Sequence, residues 1–220
     1  MALLKTISIP NGILGIWQLT ETSAGLLPLF TREELADVAY RKYTHEKRKV
    51  EWLATRLLIR ELLGTDFTIS YSENGKPLLN HPKYKYISIS HSRTFASVVI
   101  HETLEVGIDI EDISRNFNPI EKRYLSDEEL IDVNKNPLLQ CLYWCTKEAV
   151  FKLVPESGVE FRQQITILPF NPEAQTRFPV RYTSENKELN YQANFLILSG
   201  HCLVWLTENS DPYFNAVKIR

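Results

Sequence analysis

Two short segments hold the residue types from which a cation-dependent phosphate chemistry can be built. One is GIDIE, Gly107 to Glu111; the other is WCTKEAVFK, Trp144 to Lys152. Side chains on a strand alternate between faces, so Asp109 and Glu111 share one side while Ile110 points the other way, toward a core. Neighbouring carboxylates repel unless a proton or a cation lies between them. Mg²⁺ suits the position, because it takes hard oxygen ligands while keeping waters and substrate phosphates. A solvated acidic pair on an edge strand has the same spacing. Glu148 and Lys152 are one helical turn apart and share a face, a pattern that a plain surface ion pair also satisfies. Lys147 points elsewhere on that helix and reads as a solvated lysine. Trp144 and Phe151 flank the charges and should bury the stretch against something.

Other segments carry weaker chemistry. Ser126 to Glu129 fits the S-x-x-E capping box, so Glu129 closes a helix start, or does so and also serves as a base or metal-shell group. Ser90-His91-Ser92 ends a strand; with no G-x-S-x-G elbow there is no hydrolase triad, and the histidine reads as a hydrogen-bonding residue. Gly75-Lys76-Pro77 is a turn that presents one lysine. Lys47, Arg48 and Lys49 open a helix, with Arg56 two turns on. Cations at a helix start oppose the macrodipole; an anionic ligand would offset that, and so would solvation. There is no Walker-type or G-x-G-x-x-G motif, so any nucleotide site is of neither the P-loop nor the Rossmann kind.

These residues need elements to position them. A strand is predicted over Ile13 to Leu19, and an amphipathic helix from His45 to Leu63, with Val50, Leu53, Ala54, Leu57 and Leu58 at helical spacing and Gly64 as its stop. Strands follow at Phe67 to Tyr71, Tyr86 to Ser90, Ala96 to His101 and Glu105 to Ile110, with a turn at Asn74-Gly75. Helices are expected at Ser126 to Asn134 and from Pro137 to about Val154. Four strands close the chain: Gln164 to Leu168, Phe178 to Thr183, Gln192 to Leu198 and Cys202 to Thr207. The pattern is α+β with mostly antiparallel sheets. It divides into two similar α/β-sandwich halves, residues 1–104 and 105–220, suggesting a pseudo-twofold arrangement with a cleft between them.

Bulk properties exclude several classes. The 220 residues carry 25 basic and 27 acidic side chains, so nothing global points to nucleic acid or an anionic membrane. No segment approaches the roughly 18 apolar residues of a spanning helix, and the start lacks the apolar region of a secretory peptide. Three cysteines, an odd number, argue against a disulfide framework. Cys141, Cys145 and Cys202 read as small buried thiols in a reducing cytoplasm.

Taken in chain order, GKP, ISISHS, GIDIE, LSDEE and WCTKEAVFK resemble the 4′-phosphopantetheinyl transferases of the Sfp type, over roughly Lys47 to Lys152. The resemblance implies a monomeric pseudo-twofold α+β enzyme, a holo-[carrier protein] synthase. It would move the phosphopantetheine arm of coenzyme A (CoA) to a serine of an apo acyl or peptidyl carrier protein and release 3′,5′-ADP. By the same resemblance Asp109, Glu111 and Glu148 would ligate Mg²⁺, with Glu148 also catalytic. Lys152 would neutralise phosphate charge and assist the leaving group, and Glu129 would be the base for the carrier serine. Lys76, Ser90 and His91 would contact CoA, with Arg56 and one or more of Lys47, Arg48 and Lys49 near its 3′-phosphate. Two departures stand out: Ser88 where the family often has asparagine, and LVPESGVEF in place of a glycine-rich turn. A Mg²⁺-dependent phosphohydrolase and a non-catalytic CoA- or carrier-binding module are the alternatives.

Overall fold

A computed structural model describes residues 3–208 apart from Ser157 and Asn186. In chain order the strands are β1 (Leu3–Ile9), β2 (Gly12–Gln18), β3 (Thr68–Tyr71), β4 (Pro77–Asn80), β5 (Tyr86–His91), β6 (Phe95–His101), β7 (Val106–Asp112), β8 (Ile165–Ile167), β9 (Arg177–Ser184), β10 (Lys187–Leu198) and β11 (His201–Thr207). The helices are α1 (Ser23–Leu26), α2 (Val38–Arg41), α3 (Glu46–Leu63), α4 (Glu121–Tyr124), α5 (Asp127–Val133), α6 (Pro137–Leu153) and α7 (Phe161–Gln164). The class is mixed α and β, with antiparallel pairing throughout the described strands.

One sheet runs β1-β2-β6-β5, a second β7-β11-β10-β9-β8, and β3 with β4 makes a separate hairpin. Alternation along the strands sorts the core into three clusters. Trp17, Ala96, Val98 and Ile100 pack with Leu53, Leu57 and Leu58 of α3. Leu14, Ile16 and Val99 of the first sheet meet Val106, Ile108, Ile110 and Leu203 of the second. Cys202, Val204 and Leu206 turn the opposite way and pack with Cys145, Ala149 and Val150 of α6. The sheets therefore share an apolar seam, and each has a long helix on its outer face. A side-chain bond crosses the seam: the Ile108 amide donates to Ser88 Oγ at 3.2 Å.

Local signals explain the ends of the long helices. Asn136 accepts from the amides of Leu138 and Leu139, and Pro137 occupies the first turn of α6, where its missing N–H costs nothing. α3 stops at Gly64, whose φ is +79°. Two strands have no counterpart in the sequence reading. β1 is mostly exposed and is held by a hairpin at Asn11, φ 50°. β4 follows the Gly75 turn and pairs only with β3. β10 begins at Lys187, earlier than expected, because its polar first residues pair with β9 alone.

Candidate functional site

The site forms where β7 meets α6, and Gly107 sets the distance between them. A Cβ at that position would lie 1.9 Å from the Ala149 carbonyl oxygen and 3.1 Å from Leu153 Cβ. With no side chain there, the helix closes onto the strand. Val106, Ile108 and Ile110 fill the inter-sheet seam, so Gly107, Asp109 and Glu111 face α6. Asp109 is accordingly buried, 5% exposed, which removes the alternative of a solvated edge pair.

Lys152, in the last turn of α6, reaches back across this contact. Its Nζ donates to Asp109 Oδ1 at 2.7 Å, to Ser90 Oγ at 3.0 Å and to the Ile108 carbonyl at 3.0 Å. Ser90 Oγ donates in turn to the same Asp109 oxygen at 2.6 Å. The other carboxylate oxygen, Oδ2, is buried without a partner among the described residues. Burial, opposed by Arg115 and assisted by the Asp109 charge, pushes the Glu111 carboxyl up to about 7. Burial and then Asp109 also push Glu148 above the usual carboxylate range. Glu111 and Glu148, both pushed up by burial and by the Asp109 charge, mark a place short of positive charge.

Of the expected phosphate contacts, Ser90 lies in this cluster and His91 stands beside it. His91 Nε2 is 3.0 Å from Thr55 Oγ1. Burial, then the charges of Lys152 and Arg48, lower its pKa to about 4, so the ring is neutral at pH 7. Arg56 is nearly buried, with its guanidinium 4.8 Å from the Trp52 ring and 5.8 Å from the Tyr71 ring, 3.3 Å from the Tyr71 hydroxyl and 3.8 Å from Asp37. Lys47 and Arg48 sit on the exposed side of α3, both paired with Glu51, at 3.6 Å and 2.8 Å. Tyr43, Arg48, Arg56, Tyr71 and His91 line one small cavity. Lys76 is on the wall of a larger groove of about 620 Å³, between the Ser72–Pro77 turn, Ile87 to Ile89 of β5, and Phe151, Lys152, Val154 to Glu156 and Gly158. Its Nζ bonds Glu105 at 2.9 Å and the Leu153 carbonyl at 3.4 Å.

Glu129 is not brought to the cluster. It is 3% exposed and completes the capping box of α5. Its Oε1 accepts from the Ile167 amide at 2.9 Å, and its Oε2 from the Ser126 amide at 2.9 Å and from Lys147 Nζ at 2.6 Å. Neither oxygen is open to a substrate, so a base at this position is not what the geometry offers. Lys147 also corrects the sequence reading: it is fully buried, donating further to the carbonyls of Phe161 and Ile165 at 3.1 and 2.8 Å. Together the two residues tie α5, α6 and β8 with a satisfied buried ion pair. The cysteines are free and buried as expected. Arg115 escaped the sequence reading altogether. It pairs with Glu111, and its guanidinium is 5.0 Å from the Phe117 ring and 5.0 Å from the Trp144 ring. A lone arginine one helical-turn spacing after GIDIE was the available signal.

Among the described residues no three carboxylate, imidazole or thiol groups stand close enough to cage a metal ion. The donors nonetheless fit Mg²⁺, which needs few protein ligands when a phosphate supplies the rest. Asp109 offers a buried oxygen with no partner, and two further carboxyls surround it electrostatically.

Residues 105–203 match the family model of the 4′-phosphopantetheinyl transferase superfamily. That span contains β7, α6 and the whole carboxylate and lysine cluster, and ends inside β11. No curated protein matches the chain.

Proposed function

We propose that this chain, which carries a 4′-phosphopantetheinyl transferase superfamily domain over residues 105–203, transfers 4′-phosphopantetheine from CoA to a serine of an apo acyl or peptidyl carrier protein. The domain supports phosphopantetheine transfer in general; the donor, the Mg²⁺ requirement and the carrier are our reading. The observation that carries it is the join of Lys152, Ser90 and Asp109, with one Asp109 oxygen left open.

Asp109, Glu111 and Glu148 would hold Mg²⁺, which when bound would polarise a pyrophosphate oxygen and neutralise developing charge. Lys152 supplies positive charge to the phosphate that leaves. Its triple anchorage fixes the ammonium group before substrate arrives. Glu148, which burial and then the Asp109 charge push above the usual carboxylate range, takes the proton of the attacking serine; Glu129 is already committed within the fold. Ser90, whose hydroxyl already donates to Asp109, and neutral His91 line the phosphate side of the site, and Arg48, Arg56 and Lys47 provide charge for the 3′-phosphate. The groove beside Lys76 accommodates the rest of CoA.

Two halves, 1–104 and 105–220, related by a pseudo-twofold axis and acting as a cytoplasmic monomer, complete the proposal. No helix among the described residues is long and apolar enough to cross a membrane. The direct test is mass spectrometry of apo carrier proteins incubated with the protein, CoA and Mg²⁺. The expected result is a gain of one phosphopantetheine; no gain across acyl, polyketide and peptidyl carriers would sink it.

A further inference from the structure

We infer that Arg115 is a built-in counter-ion for Glu111, which a divalent cation must displace, so that Arg115 sets the metal affinity of the site. The inference rests on the Mg²⁺-binding reading above.

The Asp109 charge is felt by both Glu111 and Glu148, and two side-chain cations answer these three carboxylates. Lys152 takes one oxygen of Asp109 and leaves the other open. Arg115 takes Glu111, and its charge also reaches Glu148. A guanidinium and a dication compete for the same carboxylate lone pairs, since Mg²⁺ binds oxygen at about 2.0–2.1 Å and tolerates little distortion. The two cations also repel each other.

Arg115 is built to let go. Its side chain is 39% exposed, so water can solvate it on leaving. Its guanidinium is 5.0 Å from both the Phe117 and Trp144 ring centroids, and those rings are 6.0 Å apart. Cation–π attraction to this seat persists when the ion pair opens. Lys152, in contrast, is held by three partners at 3.0 Å or less and remains in place. The pair at Glu111 therefore holds the unloaded site together without fixing it.

The test is Mn²⁺ binding at pH 8 in the presence of CoA, followed by loss of the free-ion electron paramagnetic resonance signal. Wild type, Arg115→Ala, Arg115→Lys and Glu111→Gln are compared after circular dichroism confirms folding. Arg115→Ala should bind Mn²⁺ about fivefold tighter, the upper end expected for releasing one partly exposed ion pair to the metal. Arg115→Lys, which keeps the charge, should stay near wild type, and Glu111→Gln should bind more weakly. Equal or weaker binding by Arg115→Ala, with wild type binding normally, overturns the counter-ion role and leaves the proposed function standing. Wild type that binds no Mn²⁺ with CoA overturns the metal reading and this inference with it. If Arg115→Ala fails to fold, Arg115→Gln carries the same two outcomes.

Discussion

Replacing Gly107 with alanine adds one methyl group at the tightest point between β7 and α6. The new Cβ would sit 1.9 Å from the Ala149 carbonyl oxygen, whereas real contacts of this kind do not fall below 3.0 Å. Relief needs a movement of about 1.1 Å. The strand cannot supply it, because β7 is paired with β11 along its whole length and pinned to Ser88 at Ile108. α6 must move, carrying Lys152 and Glu148. A shift of that size stretches the 2.7 Å bond from Lys152 to Asp109 beyond hydrogen-bond reach. Overpacking of this kind costs about 1–3 kcal/mol, or about 2–4 °C of Tm per kcal/mol for a chain of this length. A misplacement of about 1 Å at a reacting centre lowers turnover about 100-fold. Thermal unfolding and the initial rate of carrier modification measure the two effects on one sample. Because the glycine φ is not in the left-handed region, alanine brings no backbone strain to confuse the result. A variant with unchanged Tm and a rate within twofold of wild type would refute the idea that this contact sets the geometry of the site.

Asp109→Asn removes the charge that anchors Lys152 while keeping the shape; carrier modification should fall at least about 100-fold with the far-ultraviolet circular dichroism unchanged, and near-normal turnover would remove Asp109 from the machinery. Lys147→Met leaves Glu129 buried and uncompensated, which should cost about 3–5 kcal/mol in urea unfolding, with most of the loss recovered by adding Glu129→Gln. Glu129→Gln alone should lower stability and leave kcat within a few-fold, so a large kcat loss at unchanged stability would restore Glu129 as a base. His91 has a folded-state pKa of about 4 against about 6.5 unfolded. Below pH 6.5 the unfolded chain binds the proton that the folded protein refuses, so this residue should take about 2 kcal/mol from stability between pH 7 and pH 5. That slope should vanish in His91→Asn, and a slope identical to wild type would show that the ring is not buried neutral.

The parts of the site governed by local periodicity were legible in the sequence. Alternation put Asp109 and Glu111 on one face, helical spacing put Glu148 with Lys152, and the capping box at Ser126 appears as read. What was not legible depends on distant partners. Lys147 looks like any solvated helical lysine until α5 and β8 bring Glu129 and the Ile165 carbonyl to it. Gly107 reads as a strand residue of no account until α6 lies against it. Arg115 acquires a role only when Phe117 and Trp144 converge from a loop and a helix. β1 was missed because mostly exposed, polar-interrupted edge strands carry little periodic signal.

β7 is the last strand of its sheet, and such a strand ordinarily offers bare amides and carbonyls to any chain that can add to it. At Ile108 both groups are already taken, the amide by Ser88 and the carbonyl by Lys152. This edge is buried against β5, and the lysine proposed to neutralise the leaving phosphate also satisfies its Ile108 carbonyl. Substituting it with methionine leaves that carbonyl without its partner and should cost stability as well as turnover. Thermal unfolding of Lys152→Met beside Asp109→Asn, which keeps the lysine, would separate the two duties.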